Sequence, residues 1–464
     1  MLQRITKLTT GWALFLLDIA AILAVWPLAF LLLLHDRTMA AADIWSAAVL
    51  YPAANLMSLY ALGLYRRDVG IELRKSLARI PLVAVAGSTA AGGFLALVDG
   101  PAGQISLVIG AVGVFLGSGS GSAARVAFDA LRRHGLFSRT LLVVGAGRRA
   151  WDLVWMLRNE GPNLNYRITF VHDPALGELD LRLADGSAGP VMALPADGFL
   201  GLALRCGADQ IVVAPDERRG LELEGLLTCK IAGIPVSQYL TFLEKEVRRI
   251  DLRRMELGWL LYSEGFYFGT IDRVLKRTLD LAASAAVLLV LSPFLVAAMA
   301  AIKWEDGGPV LYRQIRITRD GKQFRINKLR TMRIDAEAGG AVWAAAADTR
   351  ITRIGATLRR TRLDELPQLF NVLRGEMSFV GPRPERPDFV TMLAGQIPLY
   401  HERHVAKAGL TGWAQVNYPY GASIDDARSK LSYDLYYVKN FSMLFDLLII
   451  MQTVRVVLWP GGVR

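Results

Sequence analysis

The chain has 464 residues, enough for two or three domains with large cores. Its hydrophobic fraction of 53% and mean hydropathy of +0.32 are typical of a protein with membrane segments. With only Cys206 and Cys229, a disulfide framework and a cysteine zinc site are excluded. The net charge of +11 favours an anionic partner. Because the sequence shows no nucleic-acid-binding motif, the expected partners are lipid headgroups and phosphate esters rather than nucleic acid.

Four apolar segments open the chain and predict a four-helix transmembrane bundle over residues 1–135. They span residues 11–34, 44–64, 80–98 and 104–128. No small-residue cleavage site follows the first segment, which is therefore interpreted as a retained anchor. Basic residues concentrate before the first segment, between the second and third, and around the fourth, so both ends of the bundle are predicted to be cytoplasmic. Asp18 is interpreted as a structural contact between helices, with a pathway residue as the alternative.

Residues 136–265 alternate short apolar runs with amphipathic ones and predict a Rossmann-like α/β domain. A strand, a glycine-rich turn and a helix are read from "TLLVVGAGRRAWDLVWML", and "ITFVHDP", "ADQIVVAPDE" and "GIPV" supply further strands. Gly145, Gly147 and Ala150 form G-x-G-x-x-A, the pattern of a pyrophosphate-binding turn. Asp173 ends the next strand later than the usual ribose-binding acid does. A nucleotide turn and a purely structural turn both remain open.

A second kind of membrane segment is predicted over residues 281–302, where an apolar run with basic flanks contains Ser292 and Pro293. Pro293 removes a backbone donor and kinks a helix, while Ser292 can satisfy the freed carbonyl. A fifth crossing would place the Arg-rich remainder of the chain outside the cell, against the positive-inside rule. The segment is therefore predicted to enter and leave the membrane by the same face, with a kinked span as the alternative.

The last region, residues 266–464, is predicted to be a mixed, mainly helical catalytic domain beginning with this re-entrant helix. Between Lys303 and Leu363 there are fourteen Lys or Arg residues against six Asp or Glu, which favours a membrane-surface patch over an ordinary solvated face. The final apolar element, "MLFDLLIIMQTVRVVLW", is interpreted as an interfacial helix.

The adjacent carboxylates Asp364 and Glu365 form the candidate catalytic pair. Neighbouring carboxylates can share a divalent cation or divide the roles of nucleophile and base. Several arginines flank them, and such charges stabilise a phosphate substrate and keep a carboxylate ionised. The alternative is a set of helix-surface ion pairs of little energetic consequence.

The C-terminal part resembles the bacterial sugar transferase family, the monotopic polyisoprenyl-phosphate hexose-1-phosphate transferases. The matching motifs are "GPVLYRQIRITRDGKQFRINKLRTM", "TRLDELPQLFNVLRGEMSFVGPRPERP" and "GLTGWAQVNYPYGASIDDARSKLSYDLYYVKN". The preceding bundle and Rossmann-like domain resemble the large form of the family. The variants "NYPYGAS" and "LLYSEGF" resemble members associated with exopolysaccharide synthesis, while "KLRTM" departs from the family's usual aromatic after the lysine.

The resemblance implies transfer of a hexose-1-phosphate from a UDP-sugar, with UDP-glucose as the expected donor, to undecaprenyl phosphate with release of UMP. Asp364 matches the nucleophile that forms an aspartyl-phosphosugar, and Glu365 matches the second carboxylate, assigned to Mg²⁺ binding or base work. The positions implied to contact substrate are Lys328, Arg330, Arg359, Pro382, Arg383 and Pro384. The implied setting is the bacterial inner membrane, with lipid contact, cytoplasmic soluble domains and a homodimer. The roles of Asp434 and Tyr436 stay open.

Two other functions fit part of the sequence. A membrane-bound nucleotide-sugar dehydratase or epimerase would join membrane spans to a Rossmann domain, but it would want a Tyr-x-x-x-Lys pair, which is absent, and a third glycine where Ala150 stands. A non-enzymatic scaffold of polysaccharide export would suit the first 262 residues, yet it leaves Asp364, Glu365 and the Pro-Arg-Pro turn unexplained.

Overall fold

The computed structural model describes residues 13–24, 41–65, 73–99, 103–133, 138–160, 166–266, 269–334, 336, 350–419, 421 and 423–458. The chain divides into two compact units, Met1–Arg248 and Arg249–Arg464. The first unit contains both the N-terminal helices and the parallel sheet, so the boundary predicted near residue 135 lies inside one unit. The boundary predicted near residue 265 lies within the second unit.

The first unit begins with apolar helices where the sequence predicts membrane segments. They are α1 (Ala13–Ala24), α2 (Ala41–Ala61), α3 (Leu73–Asp99) and α4 (Gly103–Arg133). Asp18 on α1 accepts bonds from the Arg125 guanidinium at 2.7 Å and from the Tyr65 hydroxyl at 2.7 Å. Asp18 therefore contacts helix neighbours, as the structural interpretation predicts. The end of the first apolar segment, residues 25–34, lies outside the described residues.

The same unit continues as a doubly wound α/β fold, which confirms the predicted parallel sheet. Its elements are β1 (Arg139–Val144), α5 (Arg148–Asn159), β2 (Tyr166–His172), α6 (Leu181–Ala184), β3 (Val191–Ala193), α7 (Gly198–Cys206), β4 (Gln210–Val213), α8 (Leu223–Ile231), β5 (Val236–Gln238) and α9 (Tyr239–Val247). The sheet order is β3-β2-β1-β4-β5, and every pairing is parallel. Strand β1 is central and its last four residues are buried, as expected for a strand covered on both faces. The sequence does not predict the short strand β3, because an element of three residues is too short to show a hydrophobic periodicity.

The second unit is mainly helical with two small sheets. Its elements are α10 (Leu257–Tyr262), α11 (Thr270–Asp306), β6 (Leu311–Ile317), β7 (Gln323–Leu329), α12 (Arg353–Thr361), a 3₁₀ turn (Leu363–Glu365), α13 (Gln368–Arg374), β8 (Ser378–Val380), α14 (Pro387–Ala394), a 3₁₀ segment (Tyr400–Val405), β9 (Gly409–Thr411), α15 (Trp413–Asn417), α16 (Ile424–Lys439) and α17 (Met443–Leu458). Strands β6 and β7 pair antiparallel, and β8 pairs parallel with β9.

Within the described residues, two helical stretches are long and apolar enough to cross a membrane, Ser76–Phe94 in α3 and the whole of α11. Helix α11 continues through Ser292 and Pro293 without interruption. The Ser292 hydroxyl donates to the Leu289 carbonyl at 3.1 Å, the acceptor that Pro293 cannot reach because it lacks an N–H group. The predicted break therefore takes the form of a proline inside a helix rather than a gap between two helices.

Both ends of α11 bond to the rest of the second unit. Near its start, Asp280 accepts from the Ser378 hydroxyl and from the Phe379 amide, each at 2.9 Å. Near its end, Glu305 accepts from the Ile354 amide at 3.2 Å. Exposed large apolar side chains occur near the start, the middle and the end of the helix, as at Ile271 (75%), Leu289 (79%) and Trp304 (92%). Residues of its second half are buried in a core that they share with α12, α13 and α16, the elements around the candidate site.

Candidate active site

Asp364 and Glu365 lie in a single 3₁₀ turn between α12 and α13 rather than within an α-helix. Helix α12 is capped at its start by Thr352, whose hydroxyl accepts from the Gly355 amide at 3.0 Å. It ends at Arg362, which takes the left-handed conformation (φ 59°, ψ 14°) and so stops the helix. For a residue with a side chain this conformation costs on the order of 1–3 kcal/mol, and such strain is concentrated at functional sites.

Asp364 is a buried carboxylate with an unsatisfied oxygen. Its exposure is 8%, and among the described residues its Oδ1 atom, which is buried, accepts no hydrogen bond. Burial, together with the charge of Glu365, raises the pKa of Asp364 to about 6, against the opposing charges of Lys328, Arg359 and Arg362. A desolvated oxygen that bonds to nothing else is the state expected of a nucleophile.

Glu365, in contrast to Asp364, has charged hydrogen-bond partners and a lowered pKa. Its Oε1 atom accepts from Lys328 Nζ at 3.3 Å and from Arg383 Nη2 at 3.2 Å. Burial alone would raise the pKa of Glu365, but the charges of Lys328, Arg383 and Arg362 hold that pKa well below its usual range. Two adjacent carboxylates with pKa values pushed apart are the pattern of groups that divide catalytic roles.

The structure brings most of the sequence-predicted basic positions to this pair. Lys328 lies in β7, and burial lowers the pKa of its ammonium group although Glu365 opposes the shift. Arg359 on α12 donates from Nε to the Thr331 hydroxyl at 2.8 Å. Arg383 reaches the pair from the turn that follows β8. The cluster therefore joins α12, β7 and the Pro-Arg-Pro turn.

Arg330 has a different environment from the one that the resemblance implies. Its buried guanidinium forms an ion pair with Asp306, the last residue of α11. Among the described residues it has no hydrogen bond to Asp364 or Glu365. This ion pair links the end of α11 to the residue that follows β7. The Nη1 atom of Arg330 is buried without a hydrogen-bond partner among the described residues, and the implied substrate contact stays a prediction.

A side chain of the same unit occupies the helix N-terminus at the glycine-rich turn. The Asp216 carboxylate accepts from the amides of Arg148 at 2.7 Å and Arg149 at 3.0 Å, the first two amides of α5. A Cβ atom on Gly147 would stand 2.2 Å from Asp216 Oδ2, so the glycine is needed for this contact. Helix N-termini are where Rossmann domains bind pyrophosphate, and here those amides are already satisfied. The geometry thus favours the structural interpretation of Gly145 and Gly147.

The two adjacent carboxylates Asp364 and Glu365, called the dyad below, have oxygens suited to a hard divalent cation. Within the part of the chain that the structure describes, no group of three or more His, Cys, Asp or Glu side chains could hold a metal ion. Mg²⁺ is nevertheless commonly bound by one or two carboxylates, with substrate phosphates and water completing the shell. The bond-free Oδ1 of Asp364 fits that mode, as does Glu365, whose two protein contacts both use Oε1.

Comparison with known proteins identifies a family that matches the region containing this site. The model for the bacterial sugar transferase family matches residues 271–460, from the start of α11 to beyond α17. A UDP-glucose:undecaprenyl-phosphate glucose-1-phosphate transferase of Escherichia coli is 31% identical over 342 residues, 72% of this chain and 70% of that protein. The chain therefore belongs to the bacterial sugar transferase family, as its motifs predict, and is an enzyme of the sugar-phosphate transferase class.

Two further relatives are more similar to this chain in sequence, each over a shorter stretch. A UDP-N-acetylgalactosamine-undecaprenyl-phosphate N-acetylgalactosaminephosphotransferase of Aeromonas hydrophila is 41% identical over 242 residues, 52% of this chain and 56% of that protein. The exopolysaccharide production protein PSS of Rhizobium leguminosarum is 45% identical over 193 residues, 40% of this chain and 95% of that protein. The match thus spans just over half of the first protein and nearly all of the second.

Proposed function

We propose that the chain is a phosphoglycosyl transferase that moves a hexose-1-phosphate from a UDP-sugar to undecaprenyl phosphate, the first step in building an exopolysaccharide or capsule repeat unit. One observation carries the proposal: Asp364 presents a buried oxygen with no hydrogen bond, beside a glutamate held ionised by Lys328 and Arg383. The names of the relatives support the acceptor and the reaction class. They differ in the sugar, and UDP-glucose is the donor we propose.

The reaction proceeds in two displacements at phosphorus. An oxygen of Asp364 attacks the phosphorus that bears the sugar, the bond from that phosphorus to the UMP oxygen breaks, and an aspartyl-phosphosugar forms. A phosphate oxygen of undecaprenyl phosphate then attacks the same phosphorus, which releases Asp364 and leaves the sugar on a lipid diphosphate. Arg383, Lys328 and Arg359 offset the charge that spreads over the phosphoryl oxygens in each step.

Asp364 and Glu365 would hold Mg²⁺ together with the donor's phosphates. When bound, the ion supplies charge neutralisation at the diphosphate. The protein's own contribution is to keep the Asp364 oxygen free of other bonds and Glu365 ionised. Glu365 thereby stays available as an acceptor even at mildly acidic pH.

The pH dependence of transfer follows from the raised pKa of Asp364. The nucleophile acts only when ionised, so kcat/KM for UMP release should rise with pH, bend near pH 6 and become level above it. Bound Mg²⁺ would move the bend in kcat to lower pH, because a cation favours the ionised carboxylate. Initial rates between pH 5 and 8, at saturating and at low donor concentration, check both statements. A rate that falls as pH rises through 6 would contradict the assignment of Asp364.

We also propose that the chain lies in the bacterial inner membrane with its soluble parts facing the cytoplasm, and that α11 is re-entrant. The bonds that Asp280 and Glu305, on either side of Pro293, make to one compact unit support this proposal, as do the exposed apolar side chains of Leu289, Val290 and Phe294 around that proline. Exposed apolar side chains suit contact with lipid. A homodimer, implied by the resemblance, belongs to the same proposal.

Reporter fusions test the membrane arrangement. Reporters placed after residue 262 and after residue 304 should give the same cytoplasmic signal, because a re-entrant helix returns the chain to its starting side. A reporter after residue 100, in a loop with little basic charge, is the matched control and should report the opposite side. Opposite signals from the first two fusions would establish a crossing helix instead.

A donor panel tests the chemical function. The full chain in detergent or nanodiscs is given undecaprenyl phosphate, Mg²⁺ and one UDP-sugar at a time, and both UMP and lipid-linked sugar are measured. UDP-glucose is expected to yield equal amounts of the two products. Formation of a keto or epimerised nucleotide sugar without UMP would identify the dehydratase or epimerase alternative. If no donor is changed by the intact chain, the enzymatic proposal fails and the scaffold alternative stands.

A further inference from the structure

The turn formed by Pro382, Arg383 and Pro384 is held by an unusual set of contacts. Two of its three residues are prolines, which have no N–H group, so the turn cannot be fixed through its own amides. Its carbonyls are bonded instead. The Pro382 carbonyl accepts from the Gly409 amide at 2.8 Å, and the Glu385 carbonyl just after the turn accepts from the Ile317 amide at 3.0 Å.

The two remaining carbonyls accept from arginine side chains. Arg403 Nη2 donates to the Arg383 carbonyl at 3.1 Å, and Arg316 Nη1 donates to the Pro384 carbonyl at 3.1 Å. Thus each of the four consecutive carbonyls from Pro382 to Glu385 has a partner. Two of these four contacts therefore come from charged side-chain donors, and charge-assisted hydrogen bonds are generally stronger than neutral ones.

Arg403 is also held by two contacts outside the turn. It is 5% exposed, and its guanidinium donates to the Asp434 carboxylate at 2.7 Å and to the Tyr400 hydroxyl at 2.7 Å. Asp434 is 2% exposed and lies on α16, far in sequence from both the turn and the dyad. Because Nη2 donates both to Asp434 and to the Arg383 carbonyl while Nη1 donates to Tyr400, these contacts fix the orientation of the planar guanidinium beside the turn.

We propose that Arg403, anchored by Asp434 and Tyr400, is a positioning residue that aims the Arg383 side chain at Glu365 and the donor diphosphate, with Arg316 as its counterpart on the other side of the turn. The inference rests on the proposed function, because Arg383 matters only if a phosphate substrate is bound there. It gives Asp434 a role that the sequence leaves open. Among the described residues neither arginine has a hydrogen bond to Asp364 or Glu365, so the route proposed for their effect on transfer runs through Arg383.

A double-mutant cycle tests this route of action. In the otherwise unchanged chain, Arg403→Lys should lower kcat/KM for UMP release by about 10- to 100-fold, since small misplacements of a catalytic group cost that much. In an Arg383→Ala background the same substitution should lower it less than about threefold, because nothing remains to be positioned. Arg428→Lys, on the exposed face of α16, is the matched control and should leave kcat/KM unchanged in both backgrounds.

The outcomes separate the two proposals. If the wild-type chain transfers sugar but the losses from Arg403→Lys are equal in both backgrounds, Arg403 has a general structural role and the inference is wrong. If the wild-type chain transfers nothing from any donor, the proposed function fails first. Where Arg403→Lys does not fold, as judged by thermal melting, Arg316→Lys in the same cycle decides, because Arg316 contacts the Pro384 carbonyl from strand β6.

Discussion

Replacing Asp364 with Asn should reduce transfer by about 10³-fold or more, because the amide is a poor nucleophile and the covalent route depends on a carboxylate. The decisive measurement is an intact mass of the full chain incubated with UDP-glucose and Mg²⁺ but no acceptor lipid. The wild-type chain should gain the mass of a hexose phosphate, and Asp364→Asn should gain none. Asp388→Asn, an exposed acid on α14, is the matched control and should behave as the wild-type chain does.

The same substitution should not weaken the fold. The folded-state pKa of Asp364, about 6, is above its ordinary value, so ionisation of this group destabilises the folded chain. That penalty is absent below about pH 4, grows between about pH 4 and 6, and is fully present at pH 7. Removing the charge should therefore raise the free energy of unfolding at pH 7 by about 1–3 kcal/mol. An Asp364→Asn chain that is inactive and also melts earlier would show that the lost activity comes from misfolding.

Replacing Glu365 with Gln should also lower transfer, by about 100-fold or more, as expected when a carboxylate with a base or metal role is lost. Its effect on stability should have the opposite sign. Lys328 and Arg383 would keep their charges while losing the carboxylate that accepts from both. Breaking a buried pair costs up to about 5 kcal/mol, and because Arg383 is partly exposed we expect a loss of about 1–3 kcal/mol.

Thermal melting of the full chain in detergent measures this loss, with Glu402→Gln, an exposed acid, as the control. Adding Lys328→Met to Glu365→Gln should restore part of the stability, since it removes one of the two unpaired charges, but it should restore no activity. A Glu365→Gln chain that melts later than the wild type would contradict the ion-pair role assigned to this residue. Both dyad substitutions are therefore expected to lower activity, whereas Asp364→Asn should raise the free energy of unfolding and Glu365→Gln should lower it.

Short-range sequence patterns predicted much of the architecture. The apolar runs LLVV of β1 and IVV of β4 lie close to glycine, proline or aspartate, so their burial in a parallel sheet could be inferred without knowing their partners. The dyad and the Pro-Arg-Pro turn were found because their letters are contiguous and resemble a family motif. Arg330 shows what such a motif leaves out. Its side chain forms an ion pair with Asp306 that no local pattern indicates, and the phosphate contact implied by the motif stays a prediction.

Other parts of the site have no local sequence signal. Arg403 lies 20 residues from Arg383 and 31 from Asp434, and Arg316 lies 68 residues from Pro384. Asp216 reaches the amide of Arg148 across 68 residues. No periodicity connects residues at such separations, because each contact is made only when several elements pack together. The contact of Asp216 with the glycine-rich turn could therefore not be predicted from the sequence, because it forms only when the strands pack side by side.

The sequence by itself determined which residues this protein brings to its chemistry: two adjacent carboxylates, a lysine, flanking arginines and a turn with two prolines. It also determined the apolar character of α11 and the position of the proline within it, because composition and spacing are local properties. Only the tertiary structure decided how those residues differ from one another. Among the described residues, Oδ1 of Asp364 is left without a hydrogen bond, whereas Glu365 is paired twice because β7 and the Pro-Arg-Pro turn both approach it. The pKa values of the two neighbours separate for that reason, since burial and nearby charge arise only when distant segments meet.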